Sequence, residues 1–367
     1  MKIFFLSFFL VVSVFYFDSC STAPKPAQGP EDEIYVVADS SEFADLSPLL
    51  DSTYEKLIYT PQPEKLFTVI RISPNQLDKY RFKKNILIAA PLNSQSQTSR
   101  YIHSLVDSTV LQKIKTGQDF VIRKENLWAD NQLVIILTAP TTNELESAVI
   151  KNKDMLVEAF QKVSDDRLKA CLYNSNFENE SLEGSLLKKY GWVIFIPADF
   201  KLAMDVSQNN FVWLRRLKGS EMECSMFVHW IDNASPVYLN EDSVKAIRNR
   251  VIGKFYRIMN DSSHVLIAPD DYTSNEINFK GRFTVLTQGL WDLNSKIIGG
   301  PFINYSFLDD KNNRFYMLDA FINAPKYYKR NLIQQMDVLL QSFMIEREID
   351  KGKKEDLLNA AKETNPE

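Results

Sequence analysis

Pro301-Phe302-Ile303-Asn304-Tyr305-Ser306-Phe307-Leu308-Asp309-Asp310-Lys311-Asn312-Asn313-Arg314-Phe315-Tyr316-Met317-Leu318-Asp319-Ala320-Phe321-Ile322 decides the architecture. Phe302 to Leu308 and Phe315 to Ile322 are short runs rich in aromatic and aliphatic residues. Between them lies Asp309 to Asn313, a cluster of turn formers. Two such runs around a polar turn predict an antiparallel hairpin. Upstream, Ile277 to Asp292 reads as a further strand of the same sheet. Downstream, Lys326 to Phe343 predicts an amphipathic helix, with Leu332, Ile333, Met336, Leu339, Leu340 and Phe343 on its apolar face.

The pattern continues outward. Trp192 to Pro197, Phe211 to Leu217 and Cys224 to Ile231 read as strands, with a turn at Gly219, before a helix at Glu241 to Phe255. Residues 185–345 are therefore expected to form an α+β sandwich, an antiparallel sheet covered by helices. Residues 34–172 predict a second α+β half. Its strands are Ile34 to Ala38, Leu66 to Ile72, Ile86 to Ala90, and an antiparallel pair at Phe120 to Arg123 and Leu133 to Ala139. Its helices are Phe43 to Ile58, Tyr101 to Ile114, and a long one from Glu144 to Leu172, for which Thr141-Thr142-Asn143-Glu144 offers a cap. The polar stretch Tyr173 to Gly184 reads as the boundary between the halves. The charged residues 346–367 read as a fraying tail.

The N-terminus supplies a location. Lys2, an apolar run from Ile3 to Phe17, and Ser19-Cys20 have the anatomy of a lipoprotein signal peptide over residues 1–19, removed in the mature protein. Phe17 and Asp18 depart from the usual residues of such a site. The apolar run is shorter than the roughly 20 residues needed to span a bilayer. Acylated Cys20 would hold the protein at a membrane, and residues 20–33 read as a Pro-rich tether. No acidic run follows Cys20, so the periplasmic face of the outer membrane is the expected address. Forty-three Lys and Arg against 47 Asp and Glu give a net charge of −4, and no long basic stretch suits nucleic acid. Cys171 and Cys224 could pair or remain thiols.

Thr287-Gln288-Gly289-Leu290-Trp291, Gly299-Gly300-Pro301-Phe302, and Phe321-Ile322-Asn323-Ala324-Pro325 with Lys329-Arg330 together resemble an uncharacterised family of Bacteroidota lipoproteins, a domain of unknown function. The resemblance is strongest from Trp192 to Phe343. It implies an envelope location and this architecture, and carries over no functional residue.

The chemistry is sparse. His103, His229 and His264 lack zinc-type spacing, and no Gly-x-Ser-x-Gly elbow occurs. Neither a catalytic residue, a metal site nor a cofactor site is expected. Gly299-Gly300-Pro301 reads as a tight turn, and Asp270-Asp271 and Asp309-Asp310 as solvated turns. Asp292 and Asp319, in or near strands, are the acids a hydrolase would use, with Arg282 and Arg314 as alternative ion-pair partners. Lys326-Tyr327-Tyr328-Lys329-Arg330 stands out because cations at a helix N-terminus oppose its dipole. These five residues are the candidate surface for an acidic partner, a lipid head group or a glycan. The favoured reading is a non-catalytic, membrane-anchored module binding an envelope protein or glycan. The alternatives are a hydrolase of an envelope polymer and a small-ligand carrier.

Overall fold

A computed structural model describes residues 25–219, 221–256, 264–293 and 299–364. The expected signal peptide and Cys20 lie outside these residues. The chain is α+β, as expected, and the antiparallel sheet is in its second half.

The first half is built from β1 (Glu33–Val37), α1 (Ser40–Tyr54), β2 (Thr68–Ile72), β3 (Asn85–Ala89), α2 (Gln97–Leu105), α3 (Ser108–Lys115), β4 (Val121–Glu125), β5 (Leu133–Leu137) and α4 (Thr142–Leu172). Strand order is β2-β1-β3-β5-β4. The pairings β1–β2, β1–β3 and β3–β5 are parallel, and only β4–β5 is antiparallel. That departs from the antiparallel sheet expected here. The reason is legible in β3 and β5, where every residue is buried. A strand covered on both faces needs an unbroken apolar run rather than alternation. Helices α1 and α4 cover Ile34, Val36, Leu87 and Ile135. Ile102 of α2 and Ile114 of α3 cover Val37, Ile88 and Ile136 on the other face.

Local differences follow from caps. The helix expected at Tyr101 to Ile114 divides at Val106, which is extended, and Asp107 starts a new one. The helix expected to reach Ile58 stops at Tyr54, and Leu57–Ile58 pairs instead with Glu64–Lys65. Residues 25–33 are no free tether. Asp130 N–H donates to Lys25 O, Gln28 N–H to Phe82 O, and Lys84 N–H to Gln28 O, so the segment is tied along the sheet end.

The second half comprises α5 (Glu180–Tyr190), β6 (Lys201–Val206), β7 (Phe211–Lys218), β8 (Met222–Ile231), α6 (Glu241–Phe255), β9 (Val265–Phe279), β10 (Arg282–Leu293), β11 (Gly299–Asp309), β12 (Arg314–Asn323), α7 (Arg330–Leu340) and α8 (Lys351–Thr364). The seven strands run β9-β10-β11-β12-β8-β7-β6, all antiparallel. Helix α7 packs on Tyr305, Leu318 and Ala320, while α6 packs on the opposite face against Phe227, Phe302 and Phe321.

Several expectations change here. Asp309 is no solvated turn residue: it is buried and accepts from Arg347 Nη1 at 2.8 Å. Ile277 to Asp292 is not one strand but a hairpin, turning at Lys280-Gly281 with φ of 53° and 81°. Both turn residues are left-handed, as a two-residue hairpin of matching twist requires. Gly299-Gly300-Pro301 is the start of β11 rather than a turn, and a Cβ on Gly300 would lie 1.9 Å from Ile322 O. The polar segment before Gly184 is only partly a boundary, because Asn179 caps α5 through the Leu182 N–H. Finally, the expected tail is the helix α8, lying on α5. Leu357 is fully buried, and Gly184 lets the two helices meet, since a Cβ there would lie 1.9 Å from Leu357 O.

Candidate functional site: a cleft between the two halves

The basic-aromatic stretch after β12 splits into an outward and an inward part. Lys326 pairs with Glu221, and Tyr328 is 86% exposed. Tyr327 is half-buried beneath the Lys218 ammonium, 5.8 Å from its ring. Lys329 and Arg330 turn inward, where burial holds both below their ordinary pKa values. There they meet Glu64 of the first half. Its carboxylate accepts the Lys329 N–H at 2.8 Å and the Arg330 N–H at 2.7 Å. An anion thus faces the start of α7, the sign its dipole favours. Arg330 donates to Leu66 O at 3.1 Å and to Gln334 Oε1 at 2.7 Å. Gln334 in turn donates to Ser164 and Asp165 of α4, at 2.9 and 2.7 Å. Sequence alone could not show that the two cations serve a seam between the halves.

Beside this seam opens a cleft of about 290 Å³. Leu57, Ile58, Tyr59, Gln161 and Asp165 line it from the first half, and Gln288, Phe302, Ile333 and Asp337 from the second. Gly289 belongs to the same wall. A Cβ there would lie 2.3 Å from Asp271 O, at the bulge where β9 shifts register against β10. Asp337 accepts the Tyr305 hydroxyl at 2.5 Å. Burial pushes its carboxyl up to about 6, against the opposing Tyr305 hydrogen bond. Burial also raises Asp165, with the Gln334 amide and Lys169 working the other way. Among the described residues, the side-chain amides of Gln161 and Gln288 have no hydrogen-bond partner. The acids were missed because each interrupts a helix otherwise read for its apolar face. Gln288-Gly289 was visible only as part of a family-like motif.

The acids singled out from sequence do not converge. Asp319 is fully buried and accepts from Arg248 Nε at 2.6 Å, from Arg248 Nη2 at 3.2 Å and from Asn304 at 2.8 Å. The Arg248 guanidinium lies 3.8 Å over the Phe302 ring. Thr287, Asn304 and Asp319 are opposite one another across β10, β11 and β12. Asp292 is an odd number of residues along from Thr287, on the opposite face. Strand spacings place the two carboxylates roughly 20 Å apart. A two-carboxylate glycosidase needs them within about 9.5 Å, so the hydrolase built on Asp292 and Asp319 is excluded. Arg282 pairs with Glu348 and Arg314 with Asp232.

Two of the histidines named from sequence lie against backbone carbonyls. His103 Nε2 is 3.2 Å from Leu92 O and His229 Nδ1 2.9 Å from Asn210 O. Burial lowers His229 to about 4. Cys171 is exposed and Cys224 buried, both as free thiols. Among the described residues no cluster of three His, Cys, Asp or Glu could hold a metal.

Residues 27–172 match the family model described as Domain of unknown function (DUF8532), and residues 179–342 match Domain of unknown function (DUF4837). No curated protein matches the chain. Among solved structures, the Saccharomyces cerevisiae Ran-binding protein Mog1p is similar at 8% identity and a TM-score of 0.31, covering 44% of this chain and 93% of that one. A crystal structure from Bacteroides thetaiotaomicron VPI-5482 is similar at 7% identity and a TM-score of 0.24, covering 44% and 46%.

Proposed function

We propose that this protein is an envelope lipoprotein, anchored through acylated Cys20, whose folded body binds an envelope component without transforming it. The sequence supports the anchor through the apolar run and Ser19-Cys20. Among the described residues no helix is long and apolar enough to cross a membrane. The observation that carries the reading is that apolar run ending in Ser19-Cys20; the Asp130 N–H bond to Lys25 O, at 2.9 Å, would set how the folded body sits on the anchor. Only four residues lie between Lys25 and Cys20, five Cα steps with a reach of about 17 Å at full extension. A lipid on Cys20 would then hold the sheet end near Lys25 close to the bilayer, and the lack of an acidic run after Cys20 favours the periplasmic face of the outer membrane. Lys326, Tyr327 and Tyr328 form an accessible surface for a protein or glycan partner, and the cleft offers a second one. Crosslinking and membrane fractionation of intact cells test this, with Cys20→Ala alongside. A membrane-bound protein with a recurrent partner lost in the variant is the expected result. Equal solubility of both forms would overturn it.

A further inference from the structure

The cleft's chemistry narrows what it can hold. It is lined by both acceptors and donors: the Asp165 and Asp337 carboxylates, the Lys56 ammonium, the Arg330 guanidinium, and the Gln161 and Gln288 amides. An organic cation would be opposed by Lys56 and Arg330, and an anion by the two acids. An apolar ligand would desolvate the two unpartnered amides without replacing their hydrogen bonds, which is costly. A hydroxyl group both donates and accepts, so a polyhydroxylated ligand matches this mixture. The remaining walls, Ile58, Tyr59, Phe302 and Ile333, are apolar and suit the C–H faces of a sugar ring. A cavity of about 290 Å³ is just below the ~300–1,000 Å³ usual for small-molecule sites. That suits a mono- or disaccharide unit rather than a long polymer segment.

We propose that the cleft between the two halves binds a neutral saccharide unit of an envelope glycan, oriented by Gln161, Gln288 and Asp165. This rests on the reading of the protein as an envelope-binding module and names the ligand class. Because both halves line the cleft, the ligand would bridge them beside the Glu64 seam.

Saturation-transfer NMR on the detergent-solubilised full-length protein tests the idea, using N,N′-diacetylchitobiose and maltose, with spermidine and inorganic phosphate as charged controls. The expected result is saturation transfer to at least one disaccharide. Affinity should fall at least tenfold in Gln161→Ala and in Gln288→Ala. Neither amide bonds to the described protein, so both variants should keep the wild-type melting temperature and a loss reports ligand contact. No transfer to either sugar, equal transfer in the variants, or binding of spermidine or phosphate instead would overturn the proposal. Fractionating the same cells reads the anchor separately. Protein that sediments with membranes yet ignores both sugars overturns the ligand class alone.

Discussion

The two sheets solve the same problem with different materials. In the first half, β5 and all of β3 after Asn85 are aliphatic, and helices cover both strands on both faces. In the second, the middle strands carry Asn304, Ser306 and Asp319 fully buried among aromatic rings, with Arg248 reaching in from α6. An aliphatic core is indifferent to pH and forgiving of small repacking. A buried ion pair is neither, because removing one partner strands the other in a low-dielectric interior. Sensitivity to charge should therefore concentrate in the second half.

The largest expected effect follows directly. Asp319→Ala leaves Arg248 buried and unpaired, and should cost about 3–5 kcal/mol in urea unfolding. The double variant Arg248→Met with Asp319→Leu should recover most of that. A cost below about 1 kcal/mol for the single change would erase the contrast between the halves. Next comes the seam. Glu64→Ala strips the acceptor from two backbone N–H groups at the start of α7, each bonded to an ionised partner. About 2–3 kcal/mol is expected. The loss should fall on the docking of the halves, splitting one calorimetric transition into two. A single transition shifted as a whole would mean that the halves do not melt separately.

How much of this was legible beforehand depended on whether a signal was local. The β11–β12 hairpin was readable because Asp309 to Asn313 are turn formers between two apolar runs. The parallel pairing of β1, β2 and β3 was not, since short apolar runs specify a buried strand without its partner's direction. The helix α8 was misread because its sequence is mostly charged. What orders it is a contact from afar, Gly184 against Leu357, with Lys353 bonding Glu178 at 2.6 Å. The cleft was invisible for the same reason. Its acids, amides and walls come from segments more than a hundred residues apart. Lys329-Arg330 is legible as an electrostatic oddity at a helix start, but Glu64, which resolves it, is 265 residues away.

The α5–α8 contact extends the comparison to the end of the chain. Gly184→Ala puts a methyl group into the Leu357 carbonyl, so the helices must part. Overpacking of this kind costs about 1–3 kcal/mol. Hydrogen exchange should show α8 losing protection before either sheet does. Protection lost equally in the first-half strands would mean that α8 supports the whole molecule rather than its own half.

The smallest effect has the opposite sign and gives the sharpest test. Glu183 is 2% exposed and accepts the Ile196 N–H at 2.6 Å. Burial, with the neighbouring Glu178 carboxylate, pushes its pKa up to about 9 from the usual 4.5. Between those values the folded state binds a proton that the unfolded chain has released. Stability contributed by this site must therefore fall as pH rises from about 4.5 to 9. His229 works the other way, held near 4 by burial, so its contribution is lost as pH falls below about 6.5. Comparing Glu183→Gln with wild type cancels the histidine. Glutamine keeps an acceptor for Ile196 without a charge to desolvate, so at pH 8 the variant should be more stable by at least about 1.4 kcal/mol, the worth of one pKa unit. At pH 4, where Glu183 is mostly protonated in both states, the two proteins should unfold nearly together. A difference that stays constant from pH 4 to 8 would trace to packing, and the second half would lose its claim to be the charge-sensitive one.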